Sequence, residues 1–519
     1  MSDSFDQFSF EDFSRETGEY RYHDYDWDDY ETDVKTVGLA RTWDGICRHV
    51  RRYGQGGLLR CENFSRMYEA GLALTDKRRK KASGQYGTPE DVSRLMCRLL
   101  LPLKAENVCD VGCGVGNLIL CYLDLLGPEE ARRLLSEGRV YLYDSDPVAL
   151  EICRTAILTI YGEDVGPGLH LVTGDFLSGR IHLPEESKVI SNPPYAPLRP
   201  GRYKKTRVRQ ETKELYAAFL EKILTESDRS VVITPYSFLG GGKFYALRRL
   251  MNEYNGFVAA FDNVPGNIFR GKKQGVFNSN TSNSVRAAIT VTGNDWGDRG
   301  YAVSPLIRFR SEEREIVLTP EYLQSRIDPR RQTVSDEDRC YRKLDRRLAG
   351  IYDAWMERSD GTLKDCLAPE GEYLLAMPTT CRYFTVATDR PLRRGGQHLL
   401  RVDGYDRFCY LYCLLNSSFA YWHWRIYDGG ITYGKGLLQA LPVPGGLTAA
   451  DAAFFRRTAE EMIRETEKFV VRKNNVGVQE NVKFPREYRD AVNERILRIL
   501  GRDEPPEVFD LLHSTSAEA

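Results

Sequence analysis

Short apolar runs that stop at a glycine, an acid or an asparagine recur up to about residue 300. Val108-Cys109-Asp110-Val111 stops at Gly112, and Val140-Tyr141-Leu142-Tyr143 at Asp144. Leu171-Val172 leads into Gly174-Asp175, and Val189-Ile190-Ser191 into Asn192. Runs of this length read as buried strands. After the first, Leu118-Ile119-Leu120 reads as the start of a helix. Strands alternating with helices, with polar residues at the strand ends, predict a doubly wound α/β sheet whose ligands lie along one edge. A late strand is predicted over Val285 to Thr292.

Beyond the sheet the pattern changes. Residues 37 to 82 read as helical and end in the basic run Lys77-Arg78-Arg79-Lys80-Lys81. Arg308 to Arg347 is charged with few apolar repeats and reads as a connector. From Glu372 the chain turns aromatic and β-like, as in Tyr383-Phe384-Thr385-Val386. A helix is predicted to end near Asn416. Apolar residues at helical spacing, such as Phe454, Met462 and Phe469, predict helices within 448–471 and 487–500. The first 36 residues mix acids with aromatics and read as a flexible tail, with a partner-docking segment or a mimic of DNA as alternatives. The expected division is therefore a tail over 1–36, a catalytic domain over 37–300, a connector over 301–370 and an α+β domain over 371–519.

At 519 residues and 42% hydrophobic content, the chain is long enough for more than one globular core. Its net charge of -1 gives no global nucleic-acid signature, so any contact with DNA must come from local patches. No apolar run is long enough for a membrane helix and no signal-peptide pattern opens the chain. The 12 cysteines show no CxxC pair, so no metal site is predicted and reduced cytoplasmic thiols are expected.

The chemistry concentrates at Asn192-Pro193-Pro194-Tyr195. Two prolines end a strand and stiffen the turn that follows. They hold two acceptors in place, the Asn192 side-chain oxygen and the Pro193 carbonyl, beside the aromatic face of Tyr195. That set suits an amino group on a planar ring, although a proline-stiffened surface turn has the same sequence. Gly112, Gly114 and Gly116 form a turn on which a nucleoside and its tail can approach the backbone. Asp144 ends the next strand at the interval where nucleotide-binding folds place a carboxylate on ribose hydroxyls. For Asp146, capping the helix after Pro147 is at least as good a reading as any ligand role. Arg199, Arg202, Lys204, Lys205, Arg207 and Arg209 follow the Asn-Pro-Pro-Tyr motif in a segment that reads as a mobile basic loop.

Taken together and in order, these motifs resemble the S-adenosylmethionine-dependent N6-adenine DNA methyltransferases of the gamma class, the TaqI type. Gly84-Gln85-Tyr86-Gly87-Thr88-Pro89 is similar to motif X, the glycine turn to motif I and Asn192 to Tyr195 to motif IV. Leu215 to Leu220 and Ser230 to Leu239 are similar to motifs V and VI. The resemblance spans about residues 84 to 292 and extends more loosely to a target-recognition domain over 371–519. It implies a Rossmann-like methyltransferase sheet and S-adenosylmethionine as cofactor. Thr88, Pro89, Asp110, Gly112 and Gly114 would line its methionine end, Asp144 its ribose, and Asp175 and Phe176 its adenine. Asn192, Pro193, Pro194 and Tyr195 would hold a flipped target adenine, with Phe269 or Phe277 as the motif VIII aromatic. Arg199, Arg202, Lys204 and Lys205 would meet the DNA. Implied partners are double-stranded DNA and a separate restriction endonuclease or defence-system subunit. A protein glutamine-N5 methyltransferase, an RNA adenine-N6 methyltransferase and a non-catalytic DNA-binding subunit with this fold are the alternatives. A fused nuclease is not expected, because residues 1 to 80 show no carboxylate-lysine cluster of the kind nucleases use.

Overall fold

The computed structural model describes residues 8–14, 19–25, 34–53, 87–199, 201–270, 285–293, 297–475 and 477–515. The chain divides into two compact units, residues 1–325 with 330–339 and residues 326–329 with 340–519. Gln85, Tyr86, the basic run over 77–81 and Phe277 lie outside the described residues.

The first unit begins with two strands, β1 (Phe8–Ser14) and β2 (Glu19–Tyr25), paired antiparallel. The sequence reading made this region a flexible tail from its acid content. The correction lies in the period: Phe8, Phe10 and then Tyr20, Tyr22 recur every second residue, which is a strand pattern whatever the charge between them. Helix α1 (Leu39–Tyr53) follows.

Eight strands make the central sheet: β3 (Asn107–Val111), β4 (Val140–Asp144), β5 (Leu169–Thr173), β6 (Ser187–Ser191), β7 (Ser230–Pro235), β8 (Asn255–Phe261), β9 (Ala287–Thr292) and β10 (Gly300–Ile307). Their order is β10-β8-β9-β7-β6-β3-β4-β5. All pairs are parallel except those of β9, which runs antiparallel to both β7 and β8. The chain builds outward from β3 through β4 to β5, then crosses back to β6 on the other side of β3. That reversal opens a crevice at the carboxyl ends of β3 and β6, where open α/β sheets bind ligands. Strands β6, β7 and β9 are buried along their whole length, as central strands covered on both faces are.

Helix α2 (Glu90–Leu100) precedes the sheet, and α3 (Asn117–Leu126) and α4 (Pro147–Tyr161) follow β3 and β4. Helix α1 is tied to the α4 segment by Arg51, which donates to Thr159 at 3.1 Å and pairs with Glu163 at 2.9 Å.

The expected connector does not form a body of its own. Gly300–Ile307 is a strand of the sheet, and residues 330–339 belong to the first unit. There Val334 exchanges two hydrogen bonds with the Asn252 side chain, and Tyr245 donates to Asp336 at 2.7 Å. From residue 340 the chain joins the second unit.

The second unit pairs β11 (Ser359–Thr362) with β14 (Pro442–Pro444), β12 (Tyr373–Pro378) with β13 (Gln397–Val402), and β15 (Val470–Asn475) with β16 (Gly477–Val482). Its centre is helical. Tyr405–Leu415 and Ser418–Tyr427 are apolar almost all round and buried almost all round, as central helices must be. Trp355 and Trp422 stack at 5.6 Å, with Phe419 edge-on to Trp355 at 5.1 Å. Ala449–Glu465 and Arg486–Ile499 are the helices predicted over 448–471 and 487–500. Among the described residues no helix is long and apolar enough to cross a membrane.

Candidate active site

The crevice is built from strand ends. After β3 the chain turns through Gly112, Gly114 and Gly116, all at positive φ. A side chain at Gly116 would collide with Cys153 Sγ, so this glycine lets α3 pack against α4. Among the described residues, a Cβ at Gly114 would meet nothing within 4 Å, and one at Gly112 only the Asn192 carbonyl oxygen at 3.9 Å. The turn therefore offers bare backbone to a ligand on the side facing the Asn192 loop.

Asp110 is fully buried behind this turn. Its Oδ2 accepts from the Ile119 amide at 3.1 Å, while its buried Oδ1 has no hydrogen-bond partner among the described residues. Burial pushes its carboxyl up to about 8, against the pull of the Ile119 amide and with a further push from Asp144. A buried acceptor left without a donor is costly unless something arrives to satisfy it. Asp144 accepts from the Gly114 amide at 2.8 Å and from the Asp146 amide at 2.8 Å, which locks the glycine turn to the end of β4. Burial also raises its carboxyl above the usual range, partly offset by these amides. Asp146 caps α4 by accepting from Val148 at 3.1 Å, the cap reading of the sequence.

Asn192 sits at the end of β6. Its Nδ2 donates to Thr88 Oγ1 at 3.0 Å, across 104 residues of sequence. Asn117 Nδ2 donates to the Thr88 carbonyl at 3.3 Å. The stretch before α2 is thus tied both to Asn192 and to the first turn of α3. Thr88 is 4% exposed, and Pro89 is the residue just before α2. The Tyr195 hydroxyl donates to the Ile233 carbonyl on β7 at 3.2 Å. Its ring lies edge-on to Tyr216 at 6.2 Å and to Phe269 at 5.8 Å. Of the two phenylalanines weighed from sequence, Phe269 is the one seen beside the motif. Pro193 is buried and Pro194 half-buried.

Two expected positions are differently engaged. Phe176 is 3% exposed, with its ring tilted on Phe219 at 5.4 Å and edge-on to Tyr143 at 5.9 Å. Lys222 Nζ lies 5.1 Å from its centre, so the core uses most of the surface that a ligand ring would need. Asp175 accepts from the Tyr203 hydroxyl at 2.8 Å and pairs with Arg202 at 2.9 Å. Arg202, read from sequence as a DNA contact, is here held by a carboxylate read as a ligand group.

The segment after the motif is a closed loop. Leu198 donates to Lys213 O and Leu215 to Ala196 O, each at 2.9 Å, closing its neck. Arg209 pairs with Glu221 and Arg207 with Glu211, both at 2.8 Å. Arg199, Lys204 and Lys205 are exposed. Of the six cations read from sequence, Arg202, Arg207 and Arg209 are thus ion-paired.

Residues 60–277 match the family model described as N-6 DNA Methylase. The chain is 22% identical over 290 residues to the type I restriction enzyme MpnII methylase subunit of Mycoplasma pneumoniae, covering 51% of this chain and 50% of that protein. It is 26% identical over 246 residues to the type II methyltransferase M.VspI of a Vibrio species, covering 45% of this chain and 56% of that protein. The match spans about half the length of these curated relatives. Among solved structures, the DrdV–DNA complex is similar over 84% of this chain and 62% of that one, at 15% identity and a TM-score of 0.45.

Proposed function

We propose that this chain, through its N-6 DNA methylase domain, transfers a methyl group from S-adenosylmethionine to the N6 amine of an adenine in DNA. The observation that carries the reading is the Asn192–Thr88 bond beside the bare glycine turn. It fixes an amide at the end of β6, three residues before Tyr195, whose ring meets Phe269 edge-on. The crevice also fits the cofactor. The buried, partnerless Asp110 Oδ1 suits an ammonium group, and the Cβ-free face at Gly112 and Gly114 suits its tail.

The exocyclic amine of adenine is a poor nucleophile because its lone pair is delocalised into the ring. The Asn192 amide oxygen and the Pro193 carbonyl accept its two N–H bonds and favour the geometry in which the lone pair is released. When bound, S-adenosylmethionine supplies a methyl already activated by the sulfonium charge. The residues therefore mainly align. Tyr195 stacks on the base, and Phe269 supports Tyr195 from its edge. An adenine in a duplex must first leave the stack, at a cost of a few kcal/mol. Stacking on Tyr195 and phosphate contacts from Arg199, Lys204 and Lys205 offset that cost. The unit over 326–329 and 340–519 is assigned to target recognition. By analogy with the type I methylase subunits, the working assembly includes restriction-system subunits acting on double-stranded DNA.

The test is transfer of a labelled methyl group to unmethylated genomic DNA, read by nucleoside analysis, with Asn192→Ala as control. N6-methyladenine formed by the wild type and lost in Asn192→Ala, with cofactor affinity nearly intact, is the expected result. Methyl transfer to RNA or to protein glutamine instead of DNA would replace this reading.

A further inference from the structure

A single buried arginine bridges the segment that follows Thr88 and the segment that precedes Phe269. Arg314 lies on α5 (Arg314–Val317) and is 1% exposed. Its Nε and Nη2 donate to the two carboxylate oxygens of Asp91, with Nη2 to Oδ1 at 2.8 Å. Its Nη1 donates to the Asn267 carbonyl at 3.0 Å, and Nη2 to the Ile268 carbonyl at 3.0 Å. Asp91 is in the first turn of α2, three residues after Thr88. Ile268 immediately precedes Phe269.

These contacts close a ring. From Asn192 it runs to Thr88, along the chain to Asp91, through Arg314 to Ile268 and Phe269, across the ring contact to Tyr195, and back through the two prolines to Asn192. Every link is a hydrogen bond, a ring contact or a few residues of chain. Moving α2 away from the 267–269 segment requires breaking the guanidinium bridge. Burying a cation this fully is costly, and an apolar residue of similar size would fill the space at less expense. What the arginine adds is a planar fork that satisfies a carboxylate and two carbonyls at once. A lysine brings the charge but not the fork.

We propose that Arg314 is a positioning residue for methyl transfer: it fixes the segment of Thr88, the partner of Asn192, relative to the segment of Phe269, the ring beside Tyr195. The proposal rests on the functional reading above. A displacement of about 1 Å between reacting groups can cost on the order of a hundredfold in rate.

The test is single-turnover methyl transfer to saturating unmethylated genomic DNA by Arg314→Lys, with cofactor affinity from isothermal titration. The rate constant is expected to fall ten- to a hundredfold, with the cofactor Kd within threefold of wild type. The amplitude separates roles: a purely structural defect lowers the active fraction and leaves the rate constant of the remaining enzyme alone. A rate constant within twofold of wild type, or a loss confined to amplitude, would overturn the proposal. Asp91→Asn is the second variant, to be read in the same way if Arg314→Lys does not fold. It keeps the bonds to Asn267 and Ile268 and weakens only the link to α2, so a smaller loss of rate is expected, and an unchanged rate overturns the proposal. If the wild type methylates no DNA at all, the reading of the site falls and the proposal with it. If the wild type is active and both variants match it, only the role of Arg314 falls.

Discussion

Thr88→Val separates two roles that the sequence and the structure give to one residue. Motif resemblance sets Thr88 beside the cofactor's methionine end. The structure gives its hydroxyl to Asn192, 3.0 Å from Nδ2. Valine keeps the shape of the buried side chain and removes only the hydroxyl, so the Asn192 amide loses a restraint on its rotation while the packing is preserved. A neutral hydrogen bond is worth about 0.5–1.5 kcal/mol net. If that restraint is felt mainly in the transition state, the single-turnover rate should fall about 2- to 12-fold, by the relation of barrier to rate. Cofactor affinity, measured by titration, should change little. Thr88→Ser keeps the hydroxyl and should stay near wild type. An unchanged rate in Thr88→Val, or a weakened cofactor Kd with an intact rate constant, would refute the reasoning and return Thr88 to the cofactor.

Asp110 predicts a pH dependence. Its folded carboxyl is raised to about 8, so the native state keeps a proton that the unfolded chain releases near the ordinary carboxylate value. Stability of the cofactor-free protein should therefore fall as pH rises from the ordinary carboxylate value toward about 8. The same ionisation prepares the acceptor, so cofactor affinity should rise over that window. Thermal unfolding and titration across pH check both, and Asp110→Asn should flatten both slopes; slopes unchanged in Asp110→Asn would remove the carboxyl from the account. At Asp175, Tyr203→Phe deletes the hydroxyl that competes for the carboxylate. Cofactor binding should tighten about threefold, a modest gain because the group is partly solvated; looser binding would mean that Tyr203 holds the cofactor instead of excluding it.

What the sequence made legible is what is local. An apolar run ending in a glycine turn, or in Asn-Pro-Pro-Tyr, encodes its own strand and its own exit, so β3, β4 and β6 and the residues at their ends could be read directly. The order of those motifs fixes the switch point, because a doubly wound sheet leaves few places for the strand order to reverse. The contacts that close the site are not local. Thr88 reaches Asn192 across 104 residues and Arg314 reaches Asp91 across 223. Neither partner looks unusual in its own segment.

Charge misled the reading most, for a physical reason. Charged residues usually face solvent, so a run dense in them reads as a surface connector. Within 308–347, however, Arg314, Arg326, Lys343 and Asp345 are all buried. Arg326 pairs with Asp345 at 2.9 Å inside the second unit, and Arg314 with Asp91 inside the first. A paired charge can sit in a core, and composition cannot tell a paired charge from a solvated one. The boundary drawn at residue 300 failed on the same ground: it cut off Gly300–Ile307, a buried strand of the sheet, because the charges that follow it resemble a linker. The acidic N-terminal segment repeats the lesson with the opposite sign, since its acids hid an alternation that belongs to paired strands. In this chain the period of the apolar residues, and not the density of charge, marks where elements lie. The charges become informative only when their partners are known, and Arg314 has its partner 223 residues away in the sequence.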